Sequence, residues 1–114
     1  MEGGQDFMGD RFLRRFEWRE LEDGRVVVLR PRFGEGRVAR RVAELFHVSD
    51  YRIRLDEIGT TVWQLCDGTT TGREIAEELR SQFGDRVEPA EDRLQRFITQ
   101  MLRARMIGLR SEEM

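Results

Sequence analysis

Residues 55–109 carry three consecutive apolar stripes of helical period, each with its own start and stop signal, and this punctuation constrains the fold more than any other feature. Asp56 can cap the first stripe, formed by Ile58, Val62, Leu65 and Cys66, and Gly68 can stop it in a left-handed conformation. Thr71-Gly72-Arg73-Glu74 reads as a capping box, in which the threonine and glutamate side chains satisfy each other's exposed backbone donors. Ile75, Ala76, Leu79 and Phe83 then line one face, and Gly84 ends the helix. The third helix opens at Glu88 with Pro89 in its first position and carries Leu94, Phe97, Ile98, Met101 and Leu102.

The preceding half reads as strands. Residues 16–21 alternate apolar and polar, Glu22-Asp23-Gly24 makes a turn, and residues 25–29 are rich in β-branched side chains, which predicts a hairpin. Pro31 ends the second strand because it has no N–H for the ladder. Residues 51–55 alternate again as a third strand, with Tyr51, Ile53 and Leu55 on one side and Arg52 and Arg54 on the other. Residues 34–50 are an insertion in which Val38, Val42, Leu45 and Phe46 predict a short amphipathic helix. Residues 1–14 are expected as a flexible N-terminal segment and 111–114 as a tail, leaving one domain at 15–110. A small sheet must bury one face and three helices must bury their stripes. The expectation is an α+β, winged-helix-like domain: a small three-stranded antiparallel sheet followed by three helices, around one core.

A chain of 114 residues with 39% hydrophobic and 37% charged content supports such a single core. The formal charge is −2 and every basic residue is arginine, but the charge is unevenly placed. Residues 30–54 hold seven arginines against Glu35, Glu44 and Asp50, whereas from Leu55 onward eight arginines face twelve acids. A DNA-binding domain gathers positive charge on the helix that enters the groove, and here the positive stretch precedes the helices. Cys66 is the only cysteine, which excludes an intramolecular disulfide. No apolar run approaches bilayer length and the N-terminus lacks a secretory core, so a cytoplasmic protein without membrane association is expected.

Nothing in the sequence assembles a catalytic set. Asp56-Glu57 and Glu77-Glu78 are neighbours in helices, so the members of each pair point in different directions. Cys66 has no base or second thiol near it and reads as a small buried apolar side chain. His47 is the only histidine, and a zinc site would need it together with Cys66 and carboxylates. Gly34 and Gly36 lack the context of a phosphate loop. Trp63 reads as a core residue that needs one partner for its indole N–H. No catalytic residue, metal or cofactor is expected.

The run Leu55-Asp56-Glu57-Ile58-Gly59-Thr60-Thr61-Val62-Trp63-Gln64-Leu65-Cys66-Asp67-Gly68-Thr69-Thr70-Thr71, followed by Glu74-Ile75-Ala76 and residues 80–84, closely resembles the PqqD family. That family comprises the pyrroloquinoline quinone biosynthesis protein D and the recognition elements of ribosomally made, post-translationally modified peptides. The resemblance covers residues 16–109 apart from the insertion. It implies a non-catalytic peptide chaperone that binds the leader of a precursor peptide and presents it to a modifying enzyme, often a radical S-adenosylmethionine enzyme. It further implies that the peptide adds as an extra strand along Tyr51, Arg52, Ile53, Arg54 and Leu55, and packs in a cleft between that strand and the third helix. The exposed flank of that helix is taken as Arg93, Phe97, Gln100 and Met101. The insertion at 34–50 departs from the family, and a helix there that packed beside residues 51–55 would occupy the same edge.

The physics of strands supports this assignment separately, because an edge strand offers unpaired N–H and C=O groups to a further strand. Arg52 and Arg54 suit an acidic leader, although two arginines are also what a solvated strand face contains. Phe97 and Met101 at helical spacing equally fit a core. Two other readings rank behind peptide binding. One is a winged-helix nucleic-acid protein reading bases with Arg93, Arg96, Arg103 and Arg105, opposed by Glu88, Glu91 and Asp92 at the start of that helix. The other is a self-associating adaptor, a homodimer whose edge strands form one sheet across a two-fold axis.

Overall fold

The structure is a computed structural model and describes residues 7–30 and 51–110; the insertion helix expected at 34–50 and the tail at 111–114 lie outside the described residues. The described elements are β1 (Arg11–Arg14), β2 (Glu17–Glu20), β3 (Val26–Arg30), β4 (Tyr51–Arg54), α1 (Glu57–Leu65), β5 (Asp67–Thr71), α2 (Gly72–Phe83), a 3-10 turn (Gly84–Val87), α3 (Ala90–Arg103) and β6 (Ile107–Leu109). They fall into two compact units, Phe16–Asp56, and Met1–Arg15 with Glu57–Met114.

In the unit Phe16–Asp56 the expected sheet is present, antiparallel and in the order β2-β3-β4. The turn between β2 and β3 works through its two special residues. Gly24 adopts φ 88°, a conformation that glycine reaches without side-chain penalty, and the Asp23 carboxylate accepts from the Arg25 N–H at 3.0 Å. The Leu21 N–H donates to the Arg25 carbonyl at 2.7 Å and starts the ladder. That start fixes the register: Trp18 lies opposite Val28, and Val28 opposite Ile53, while Arg19 lies opposite Val27, and Val27 opposite Arg54. β3 is the central strand, and Val26, Val27 and Val28 are all buried.

The other unit contains a second three-stranded antiparallel sheet, ordered β5-β1-β6, so the expected single sheet is corrected to two. β1 comes from the segment expected to be flexible, which is built into the fold from Phe7 onward. Phe7, Met8 and Phe12 are 5%, 7% and 0% exposed, and the rings of Phe7 and Phe12 meet edge to face at 6.1 Å. Three apolar anchors among polar residues are enough to order this segment once partners far along the chain receive them.

Those partners include the start of α2. Thr71 Oγ1 accepts from the Glu74 N–H at 3.2 Å and the Glu74 carboxylate accepts from the Thr71 N–H at 2.9 Å, which is the expected capping box. The two remaining first-turn donors are capped from the N-terminal segment: Gly72 N–H donates to the Asp10 carbonyl at 3.0 Å and Arg73 N–H to the Met8 carbonyl at 2.8 Å. Gly84, at φ 60°, ends α2 as expected.

α1 departs from expectation in two ways. It stops at Leu65, with Gly68 beyond it at φ 85° in the irregular pairing of β5 with β1. The Arg14 guanidinium replaces the glycine stop, donating to the Trp63 and Gln64 carbonyls at 3.1 and 3.0 Å, a cation at the negative end of the helix. Its buried face is Gly59, Thr60, Val62 and Trp63, with Ile58 and Leu65 only half-buried. The large Trp63 ring dominates which side turns inward, and its indole Nε1 finds no partner among the described residues. α3 begins one residue later than expected, at Ala90, whose N–H donates to the Glu88 carboxylate at 3.1 Å. Its buried face is Ala90, Leu94, Ile98 and Met101.

Candidate functional site

β4 has β3 on one side and, among the described residues, no strand on the other. Which of its backbone groups face the open side follows from one hydrogen bond. Leu55 N–H donates to the Val26 carbonyl at 2.9 Å, so Leu55 and Val26 form a hydrogen-bonded pair of the ladder. Antiparallel pairs alternate between bonded and non-bonded. Val28 with Ile53 is therefore also a bonded pair, while Val27 with Arg54 and Leu29 with Arg52 are not. The N–H and C=O of Arg52 and Arg54 consequently point away from β3 and toward the open edge. Of the five strand residues expected to meet a peptide, Ile53 and Leu55 have their N–H groups turned to β3. Arg52 and Arg54 are the two whose backbone groups no described strand engages.

The same parity fixes the side chains. Residues directly opposite one another share a face, so Arg52 and Arg54 stand on the face of Leu29 and Val27, together with Glu17 and Arg19 of β2. Both strand arginines and Arg19 are exposed, and among the described residues none of the three pairs with a carboxylate. Val27 between Arg19 and Arg54 is only 4% exposed. The opposite face carries Trp18, Val28 and Ile53, of which the first and last are half-buried. Arg19 was missed at the sequence level; the Asp-Gly turn sets its register against Val27, but its place on the face of Arg54 depends on the separate pairing of β3 with β4.

In the other unit, the residues expected on the outer flank of α3 separate. Arg93 and Gln100 are exposed and Phe97 is half-buried, but Met101 is 2% exposed and belongs to the core, on the Leu94 and Ile98 side of the helix. Arg93 is already engaged, donating to the Arg86 carbonyl at 2.6 Å. Arg96 is paired with Asp92 at 2.8 Å, and Arg80 holds both Glu88 at 2.9 Å and Glu91. Two of the four arginines of the nucleic-acid reading are thus committed to internal partners, and acids crowd the first turn where bases are usually read.

Cys66 is fully buried, and that burial pushes its thiol up to about 12. The Arg14 charge opposes the shift without overcoming it. A thiol so rarely ionised at neutral pH is a poor nucleophile. Among the described residues no group of three or more His, Cys, Asp or Glu side chains is placed to hold a metal ion; His47 lies outside them. Among them, too, no helix is long and apolar enough to cross a membrane.

The family model described as coenzyme PQQ synthesis protein D (PqqD) matches residues 25–107. That span runs from the second strand of the hairpin to the first residue of β6 and includes β4 and all three helices. No curated protein and no solved structure matches the chain. With most of its length matched by that one family model, the chain belongs to the PqqD family.

Proposed function

We propose that this protein is a cytoplasmic, non-catalytic peptide carrier, which takes up the leader of a ribosomally made precursor peptide as an added strand on β4. It presents that peptide to a modifying enzyme, of the radical S-adenosylmethionine class on the family reading, in a biosynthesis of the coenzyme PQQ type. The observation that carries the reading is the side of β4 that no strand covers among the described residues, toward which the backbone N–H and C=O of Arg52 and Arg54 face. Strand addition draws its affinity from such main-chain groups and its selectivity from the alternating side chains beside them.

Amide hydrogen exchange followed by NMR tests it, with the leader of a precursor peptide encoded beside the gene as titrant. Arg52 and Arg54 amides should gain protection on binding, whereas Ile53 and Leu55, already bonded to β3, should change little. Uniform protection of all four, or none at Arg52 and Arg54, would argue against strand addition at this edge.

A further inference from the structure

We propose that the strand accepted by β4 is an acidic peptide of alternating pattern, with carboxylates opposite Arg52 and Arg54 and an apolar residue between them. The inference rests on strand addition at β4 and adds the chemistry of what is bound.

The geometry leaves little freedom. Because Arg52 and Arg54 form the outward hydrogen bonds, peptide residues opposite them in antiparallel addition become bonded pairs with Cα atoms about 5.5 Å apart. Opposed residues share a face, so those two peptide side chains emerge beside the two guanidiniums, and the residue between them emerges on the Ile53 and Trp18 side. Ile53, one spacing away, is half-buried and accepts an apolar neighbour, while Arg52 and Arg54 are exposed and unpaired among the described residues.

Distance decides which charges matter. Arg19 and Glu17 share the arginine face but belong to β2, three strand spacings from an added strand, or about 14 Å. That exceeds the screening length of about 8 Å at physiological salt, and the two are opposite in sign. Arg52 and Arg54 sit one spacing away and are both positive. A basic peptide would meet two like charges that no carboxylate pairs with among the described residues, whereas a carboxylate at each position finds a fork-shaped donor.

The test uses short capped peptides in which Val alternates with Glu, Gln or Lys, titrated into the full chain, with affinity read by fluorescence anisotropy and the site by the Arg52 and Arg54 amides. The Glu peptide should bind about tenfold tighter than the Gln peptide, equal to about 1.4 kcal/mol, and high salt should erase the difference. Its advantage should vanish in an Arg52→Gln, Arg54→Gln protein and return in Arg52→Lys, Arg54→Lys. A protein carrying Arg52→Glu and Arg54→Glu should prefer the Lys peptide. If Glu and Gln peptides both shift the two amides and bind equally, the acidic preference is overturned while strand addition stands. If no alternating peptide shifts those amides, strand addition itself fails and the preference with it.

Discussion

Replacing Gly72 by alanine should loosen the N-terminal segment from α2, and the size of the effect can be worked from the contacts. A Cβ built at Gly72 would lie 2.4 Å from the Phe7 carbonyl oxygen and 3.1 Å from Met8 Cα. An ordinary carbon to oxygen contact is about 3.3 Å, so backbone must move by close to an ångström. The movement strikes the two hydrogen bonds that cap α2, from Gly72 to Asp10 and from Arg73 to Met8, together worth about 2 kcal/mol. It also weakens the burial of Phe7 and Met8, each worth about 1.5–3 kcal/mol when complete. Released backbone entropy of about 1–2 kcal/mol per residue and the helix preference of alanine, up to about 1 kcal/mol, offset part of this. The expected net loss is about 2–3 kcal/mol, or a Tm lower by about 10 °C. Urea denaturation followed by circular dichroism measures it. The decisive comparison is a double-mutant cycle with a chain lacking residues 1–9, in which Gly72→Ala should be neutral or mildly stabilising. Equal destabilisation in both backgrounds would refute the assigned cause.

Other features give further expectations. Arg14→Met removes the side chain that closes α1 on the Trp63 and Gln64 carbonyls; a loss of about 1–2 kcal/mol is expected, and denaturant midpoints will show it. Cys66, with its thiol pushed up from 9.0 to about 12, should react with iodoacetamide in the native protein at least about a thousandfold more slowly than in urea, since only the thiolate attacks. A native rate near the denatured one would contradict its burial. Hydrogen bonds from the Ala90 N–H and Arg80 hold Glu88 below the usual 4.5, and Arg80 does the same for Glu91. A carboxylate lowered in the folded state stabilises above its unfolded value and loses that contribution as pH falls through the folded value. Stability should therefore decline on acidification below about pH 4.5, and Arg80→Gln should flatten that decline; an unchanged acid slope would exclude the cluster as its source.

What could be read from the sequence was what is local. The capping box, the Gly84 stop and the Asp-Gly hairpin each depend on residues within a few positions, and each forms as expected. The second sheet escaped because it depends on distance. β1 pairs with β5 and β6 from the far part of the chain, β6 has three residues, and Arg11-Phe12-Leu13-Arg14 does not alternate. Thr71 shows the difficulty in one residue, since it is both the last residue of β5 and the N-cap of α2. Its cap role is visible locally; its strand role needs Arg11 opposite it. At the candidate site, alternation identified β4, but which of its amides face outward required the bond from Leu55 to Val26. Met101 was misplaced because helical spacing names a stripe without saying how far around the helix the core extends.

The pairing of Phe12 with Leu109 has a consequence for the order of events during synthesis. The sheet β5-β1-β6 takes its central strand from residues 11–14 and one outer strand from residues 107–109, so it cannot close until residue 109 has left the ribosome. The sheet β2-β3-β4 is complete by Leu55, about half a chain earlier. The β4 edge, which no described strand covers, therefore exists throughout the interval in which residues 56–109 are still being made. Exposed edges in nascent chains invite pairing with other strands. Two arginines along that edge repel a second copy of themselves, which disfavours pairing between sister chains.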